Sequence, residues 1–375
     1  KRQITGGPGT GKTTLIRAII TAAEQNGLEP ALMAPTGRAA KRLAISSGRD
    51  ADTIHKALEA SVRETGRTYF ERNEANPLEE DLIIVDEASM LDISLFYHLL
   101  CALKDGARLI LVGDIDQLPP VGAGEPLKDL MSWGYVPIVR LKRIFRQEEG
   151  SGIVENAALI RKGEMCIPDE AGEFRIIYAA DDEDAYQIVM DLCRELNYGN
   201  EENKMLLQVL SPMYRGVCGV DHLNESLQEM IHGEKVPDGM KFFPGDKVMQ
   251  TRNDYEKGIY NGDVGTVWTA TPQKVFVRYF DKEVVYEGEE RFDLRLAYAV
   301  TVHKSQGSEY ETVIFILCPS QHNMLQRNLL YTGVTRARKN TILVTAPDAL
   351  RRALAIQHTG NRYSLFLPFL NHEAL

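Results

Sequence analysis

The sequence is short of what secreted mini-domains, membrane proteins and coating-type nucleic-acid binders rely on. Among 375 residues its five cysteines stand alone at Cys101, Cys166, Cys193, Cys218 and Cys318, with no CxxC pair. That spacing argues against a zinc ribbon or a disulfide framework and predicts a reducing, cytoplasmic setting. No apolar run approaches the ~18 residues that cross a bilayer, and no charged-then-apolar leader opens the sequence. Basic residues are in deficit: 43 Lys and Arg stand against 53 Asp and Glu, a net charge of −10. A protein that coats nucleic acid carries basic excess, so a local basic channel is the form of nucleic-acid binding left open. Hydrophobic residues at 44% and charged residues at 26% exclude a disordered or collagen-like chain. At about 150 residues per domain the length predicts two to three domains. Lys1 is not a start methionine and a strand begins almost at once, which predicts a piece that has lost upstream sequence.

What is present is an alternation of strand and helix. Arg2–Thr5, Pro30–Ala34, Leu82–Asp86 and Leu109–Gly113 are short apolar runs suited to strands of a parallel sheet buried on both faces. Lys12–Gln25, with Leu15, Ile16, Ile19 and Ile20, and the stretches Gly37–Ser46 and Thr53–Ala60 read as helices. This rhythm predicts a doubly wound α/β domain over residues 1–139, interrupted by a polar stretch, Ser61–Pro77, that suits a projecting hairpin. The rhythm resumes over residues 140–242, with strands at Phe174–Tyr178 and Leu206–Ser211 and helices at Asp181–Asn197 and Val220–Ile231. From Phe243 to Leu296 the texture changes to short alternating runs (GDKV, NGDVGTVW, KVFVRYF, EVVYE) split by Gly, Asn and Asp, the pattern of a small antiparallel barrel. Buried-strand texture returns at Ala297–Val302, Thr312–Leu317 and Thr341–Ala346, around a helix at Gln326–Ala337. The barrel, residues 243–296, is thus inserted in a second α/β domain made of residues 140–242 and 297–375.

Three strand ends carry chemistry. Gly6-Gly7-Pro8-Gly9-Thr10-Gly11-Lys12-Thr13 matches GxxxxGK[ST] between a strand and a helix. Glycines let backbone N–H groups face phosphate oxygens, and the helix N-terminus adds positive potential. Gly7, Gly9, Thr10, Gly11 and Thr14 complete this cradle; Lys12 suits the β/γ-phosphates and the Thr13 hydroxyl suits Mg²⁺. Asp86-Glu87 follows LIIV, where a carboxylate points into the nucleotide crevice of a parallel sheet; Asp86 suits Mg²⁺ and Glu87 the attacking water. Gln117 in GDIDQLPP follows another strand end, as a γ-phosphate sensor or as part of a Pro-stiffened turn.

Together GGPGTGKTT, APTGRAAKRL, TIHK, VDEASMLD, LVGDIDQLPPVG, IFRQ, VLSPMYRG, VTVHKSQGSEYE and LLYTGVTRAR, in this order, resemble the RecD-like group of superfamily 1 helicases over nearly the whole chain. The resemblance implies two RecA-like P-loop motor domains with ATP and Mg²⁺ between them, a β-hairpin pin inserted in the first and an SH3-like β-barrel in the second. It implies an ATP-dependent, 5′→3′ translocase and helicase on single-stranded DNA and at single-strand/duplex junctions, acting in DNA repair or recombination as a monomeric motor without a membrane. An ATPase subunit of a recombination nuclease, or a nucleotide-gated DNA-binding module, are the other readings it leaves.

The resemblance also implies residue roles. Arg146 and Arg336 match arginine fingers, Glu309 a ribose contact and Gly307 a backbone near the phosphates. Without the resemblance, Arg146 reads as one of a basic run with Arg140, Lys142 and Arg143. Pro35, Thr36, Arg38, Thr53 and His55 match DNA contacts of the first domain. Met213, Arg215, Gly216, Thr301, His303 and Lys304 match those of the second. Hydroxyls, backbone amides and a few cations suit phosphate contact that ignores sequence; His55 and His303 also read as packed histidines. Phe70, Tyr214 and Tyr298 are stacking candidates, with core packing the stronger reading. The family's adenine-reading glutamine segment is absent ahead of the phosphate loop, and Gln3 lies too near the loop to replace it.

Overall fold

The computed structural model describes residues 2–7, 9–62, 68–141, 151–237, 239–254, 256–280, 282–357 and 366–371. Contacts divide the chain into one unit of Lys1–Glu149 with Gly360–Leu375 and another of Gly150–Thr359.

In the first unit, strands β1 (Arg2–Thr5), β2 (Pro30–Ala34), β3 (Asp52–Thr53), β6 (Leu82–Val85), β7 (Arg108–Gly113) and β8 (Ile138–Arg140) form a parallel sheet of order β3-β2-β6-β7-β1-β8. Alternate residues of one strand feed opposite cores, as the two-residue side-chain period requires. Leu82 and Ile84, with Ile110 and Val112, pack with Ile16, Ile20 and Leu43 from helices α1 (Lys12–Gln25) and α2 (Gly37–Ser47). Ile83 and Val85, with Leu109 and Leu111, pack on the other face with Ile54 of α3 (Ile54–Ala57), Phe96 of α4 (Ile93–Cys101) and Leu130 of α5 (Pro126–Trp133). Every residue of β6 is buried, which is why its sequence is apolar without alternation. The expected hairpin is present as β4 (Ala60–Val62) paired antiparallel with β5 (Thr68–Phe70). Its anchor is Phe70, which is buried and lies 4.5 Å from the His98 ring. The stretch beyond it, expected as part of the hairpin to Pro77, is a separate tight turn closed by an Asn73–Asn76 bridge.

The second unit has a parallel sheet of order β16-β10-β17-β18-β9, built from β9 (Phe174–Tyr178), β10 (Leu207–Ser211), β16 (Ala299–Thr301), β17 (Tyr310–Leu317) and β18 (Ala337–Thr345). Around it lie α6 (Gly152–Lys162), α7 (Asp182–Glu195), α8 (Glu201–Leu206), α9 (Val220–His232), α10 (Arg327–Val334) and α11 (Pro347–Ala355). Helix α10 approaches β17 closely because Gly333 has no side chain: a Cβ there would stand 2.4 Å from the Phe315 ring. Between α9 and β16 sits an antiparallel five-stranded sheet, β14-β13-β12-β11-β15, of β11 (Lys247–Gln250), β12 (Val264–Ala270), β13 (Lys274–Arg278), β14 (Glu283–Glu287) and β15 (Leu294–Leu296). Its alternating strands bury Val248, Val267, Val275, Val277, Val284 and Tyr286 in a core of their own. Two parallel α/β sheets and an inserted antiparallel barrel are the architecture expected of the sequence.

The end of the chain departs from that expectation. The sequence pattern groups residues 366–371 with the second domain, but α12 (Phe366–Leu370) packs on the first unit, with the Phe366 ring 5.9 Å from Phe96. The segment is an apolar FLPFL whose Phe366 and Leu370 are half-buried beside α5, and local texture carries no record of which sheet it joins.

The barrel is joined to its sheet by buried charge. Asp246 is fully buried; it accepts hydrogen bonds from Tyr298 Oη at 2.9 Å and the Phe243 N–H at 2.7 Å, and also from the Gln228 amide, with His232 Nε2 at 2.9 Å. Lys247, next in sequence, donates from Nζ to the carbonyls of Lys204 at 2.7 Å and Leu207 at 3.0 Å. Both side chains are satisfied by partners outside the barrel strands, so the barrel's first strand is rooted in the second unit's core. Asp246→Ala strands several buried donors, each costing ~1–3 kcal/mol. It should lower the unfolding free energy by about 3 kcal/mol or more, read as a drop in the urea midpoint.

Candidate functional site

The phosphate loop leaves β1 and enters α1. Gly9 and Gly11 adopt φ of 73° and 83°, the left-handed region open to glycine. Gly6 is as restrictive in another way: a Cβ there would lie 2.6 Å from Thr10 Oγ1 and 3.0 Å from the Leu141 carbonyl. Thr10 is buried and its hydroxyl donates to the Gly7 carbonyl at 2.8 Å. Lys12 arches over the loop and donates to the carbonyls of Gly6 at 2.8 Å and Gly7 at 2.9 Å. Thr13 and Thr14 begin the first turn of α1 behind Gly11, where backbone N–H groups have no intrahelical partner. A glycine cradle at a helix N-terminus with an ammonium across its mouth fits a polyphosphate.

Beside the loop, β6 ends in Asp86 and Glu87, both buried. Burial, reinforced by the charge of Glu87, pushes the Asp86 carboxyl up to about 6, against the pull of the Arg42 guanidinium and the Lys12 ammonium. Glu87 stands at φ 51°, a left-handed backbone that non-glycine residues rarely adopt. Its Oε1 accepts from Arg42 Nη2 at 2.8 Å. The Lys12 ammonium acts on Asp86, so the phosphate loop lies close to the two carboxylates, with Thr13 beside Lys12 at the start of α1. The donor set, a hydroxyl and a carboxylate beside a phosphate cradle, is suited to Mg²⁺. Arg42 belongs to this group and went unassigned in the sequence, although it lies one helical turn from Arg38 on the same face of α2.

The third strand end is tied to the other two. The Gly113 carbonyl accepts from Gly6 N at 3.4 Å. A Cβ on Gly113 would lie 2.9 Å from Ser89 N and 3.3 Å from Ala88 N, the turn that follows Glu87. Gln117 is buried; its amide approaches Asp114 Oδ2 at 3.4 Å, so Asp114 sets its direction.

The expected nucleic-acid contacts of the first unit cluster at two helix starts. Pro35 leads into Thr36, which caps α2 by accepting from Ala39 N at 3.3 Å, and Arg38 follows in the first turn. Thr53, buried, caps α3 by accepting from Lys56 N at 3.1 Å. Both hydroxyls are therefore structural caps whatever else they meet. Burial holds His55 below the usual histidine range, with Asp92 opposing, which favours the neutral imidazole.

In the second unit, Met213, Arg215 and Gly216 form a turn in which Arg215 and Tyr214 are exposed and Gly216 has φ 95°. Thr301 is buried at the end of β16 and accepts from Lys304 N at 3.2 Å. Lys304 Nζ donates to Asn261 Oδ1 of the barrel at 2.7 Å, and burial followed by the nearby Arg295 lowers its pKa. Burial likewise lowers that of His303. Tyr214, Lys241, Arg295, Thr301 and Lys304 line one cavity of about 640 Å³, with the Arg295 guanidinium 5.9 Å from the Tyr214 ring centroid. Tyr298 and Phe70, the other stacking candidates, are core residues. Gly307, at φ 76°, opens the turn to Glu309, whose Oε2 accepts from Nε and Nη2 of Arg338, both at 3.1 Å. Arg336 is buried and donates to the carbonyls of Thr332 at 3.1 Å and Ser308 at 3.2 Å. Arg146, the other expected finger, lies outside the described residues.

Three family models cover successive parts of the chain: an AAA domain at residues 2–123, the ATP-dependent RecD-like DNA helicase SH3 domain at 223–279 and the UvrD-like helicase C-terminal domain at 296–344. The RecBCD enzyme subunit RecD of Mycolicibacterium smegmatis is 33% identical over 96% of this chain and 72% of its own length. The chain belongs to the RecD-like helicase family. The ATP-dependent RecD2 DNA helicase of Deinococcus radiodurans is 39% identical over 96% of this chain, which spans 49% of that relative's length. Among solved structures, Bacteroides Pif1 helicase in complex with ADP-AlF3 and single-stranded DNA superposes with a TM-score of 0.58 at 22% identity, over 99% of this chain and 92% of that one. Pif1 from Candida albicans gives 0.57 at 19%, over 100% of this chain and 96% of that one. At these identities the likeness speaks to fold. No helix among the described residues is long and apolar enough to cross a membrane.

Two measurements check this geometry. Gly113→Ala pushes the turn after Glu87, and because misplacement near 1 Å can cost ~10²-fold, ATP turnover should fall by about that factor with nucleotide affinity retained. His303 titrates lower in the folded chain than unfolded, so the unfolded state takes up its proton first and His303 withdraws stability as pH falls below its unfolded value of about 6.5. Between pH 7.5 and 5.5, His303→Gln should therefore lose less stability than the unaltered protein in parallel urea titrations.

Proposed function

We propose that the chain is the motor of an ATP-dependent helicase that translocates 5′→3′ on single-stranded DNA. The observation that carries this reading is a phosphate loop whose Lys12 acts on the buried Asp86 beside Glu87, on a sheet whose neighbouring helix starts present Thr36–Arg38 and Thr53–His55. Bound ATP with Mg²⁺ supplies the scissile phosphoanhydride and part of its charge neutralisation. Lys12 leaves the Gly6 and Gly7 carbonyls to neutralise phosphate oxygens, and Thr13 with Asp86 would hold the metal. Glu87 orients the attacking water and takes its proton. Gln117, set by Asp114, senses the γ-phosphate.

Arg336 is the finger on the described residues. Two of its donors are already fixed on backbone carbonyls, which orients its guanidinium within the second unit. Arg146 fills the second finger role, Glu309 and Gly307 the nucleotide's ribose and phosphate side. Met213, Arg215, Gly216, Thr301, His303 and Lys304 meet the DNA backbone in the second unit, with the cations and Tyr214 of the 640 Å³ cavity in support. The hairpin at Phe70 would part the duplex. The neutral state favoured for His55 and His303 suits hydrogen bonding rather than charge pairing with phosphate. The boundaries that go with this reading are a first motor domain with its hairpin, a second motor domain and the inserted barrel; cytoplasmic action in repair or recombination is part of the same proposal.

The full-length protein should displace a strand from a duplex bearing a 5′ single-stranded tail and leave a 3′-tailed duplex intact. Arg336→Ala should retain nucleotide binding and lose ~10³-fold or more in DNA-stimulated turnover, whereas Lys12→Ala loses both. Equal displacement from both tails, or near-normal turnover in Arg336→Ala, overturns the corresponding part.

A further inference from the structure

The ion pair between Arg42 and Glu87 joins two sites that the proposed cycle must connect. Glu87 follows a fully buried strand, and its side chain is 8% exposed. Its carboxylate is not aimed by an ordinary backbone, since the residue sits at φ 51°. A guanidinium that reaches one oxygen at 2.8 Å fixes the carboxylate's rotamer and occupies a lone pair that water would otherwise meet.

Arg42 itself is one-third exposed and projects from α2. That helix runs unbroken from Gly37 to Ser47, and its N-terminal turn carries the Thr36 cap and Arg38. Residues four apart share a helix face, so Arg38 and Arg42 are rigidly linked: a displacement of the first turn carries the guanidinium of Arg42 with it. Coupling of this kind needs one rigid element that bears on two sites, and α2 carries the proposed DNA contacts in its first turn and reaches Glu87 through Arg42 at its middle.

We propose that Arg42 is the positioning residue that makes hydrolysis answer to DNA: phosphate engagement at Thr36–Arg38 moves α2, and α2 redirects the Glu87 carboxylate through the Arg42 guanidinium. This rests on Glu87 being the water-activating base. It assigns Arg42 no contact with nucleotide or DNA.

The test is the ratio of ATP turnover with saturating oligothymidylate to turnover without it, in the full-length protein. Arg42→Gln should cut that ratio by ~10-fold, within the range of coupling between linked sites, with oligothymidylate affinity changed by less than ~2-fold and a lowered but still cooperative melting transition. Arg42→Lys, which keeps the charge but not the planar fork, should recover part of the ratio. If Arg42→Gln loses its fold, Arg42→Met, with the stem along α2 intact, carries the same expectation. A folded glutamine or methionine variant with the full ratio overturns the coupling. Glu87→Gln separates the two readings. If it is inactive with and without oligothymidylate while Arg42→Gln keeps the full ratio, only the coupling fails. If Glu87→Gln still turns over, the base assignment fails and the coupling with it.

Discussion

Two adjacent carboxylates held out of water govern the design of the first unit. Asp86 and Glu87 end a strand that is buried on both faces, so they sit in low dielectric beside one another. Burial first, and the neighbouring Glu87 charge second, raise the Asp86 carboxyl above the usual carboxylate range. What opposes this is basic: Lys12 from the phosphate loop and Arg42 from α2. The close pass of Gly113 over Ala88 and Ser89, and its carbonyl's bond to Gly6, hold the loop, the carboxylates and the third strand end in register. The unit is therefore less a set of motifs than one electrostatic balance distributed over three strand ends and a helix.

The second unit solves a related problem with opposite emphasis. Asp246 and Lys247 are buried ionisable groups whose partners include hydroxyls, amides, backbone carbonyls and the His232 imidazole. Tyr298, which bonds Asp246, immediately precedes β16, and Gln208 and Asn224 hold the backbone of residues 297–299. Residues at the end of β16, Thr301 to Lys304, are thereby fixed relative to the barrel as well as to the sheet. A barrel that were only tethered by two chain crossings would leave that strand end mobile.

Much of this was legible in the sequence because buried parallel strands and alternating barrel strands leave different textures. LIIV and LILVG announce strands covered on both sides; KVFVR and EVVYE announce one covered side. The phosphate loop was legible because its glycines are demanded by backbone angles. Contacts formed between distant residues were not. Arg42 and Glu87 are 45 residues apart, and nothing in APTGRAAKRL marks that arginine from its neighbours. Asp246 and Lys247 look like solvated charges in GDKV, since their burial depends on Tyr198, Tyr298 and Gln228 from other elements. Thr36 and Thr53 show the converse: as helix caps they have a sufficient local reason to be where they are. The terminal FLPFL carries apolar side chains but no clue to which of two cores receives them.

That terminal helix has a bearing on how the chain is made. Its Phe366 completes the face of the first unit formed by Phe96 and α5, although most of that unit is synthesised long before. In the second unit β9 likewise waits for β18, with the whole barrel translated in between. Parallel pairings across such separations form slowly because the intervening loop must be closed first. On the ribosome, the barrel, whose strands are neighbours in sequence, has its partners to hand early, while both parallel sheets pass through a period with an apolar edge or face uncovered. Nascent chains thus leave an apolar face of the first unit open until Phe366 and its neighbours have been made.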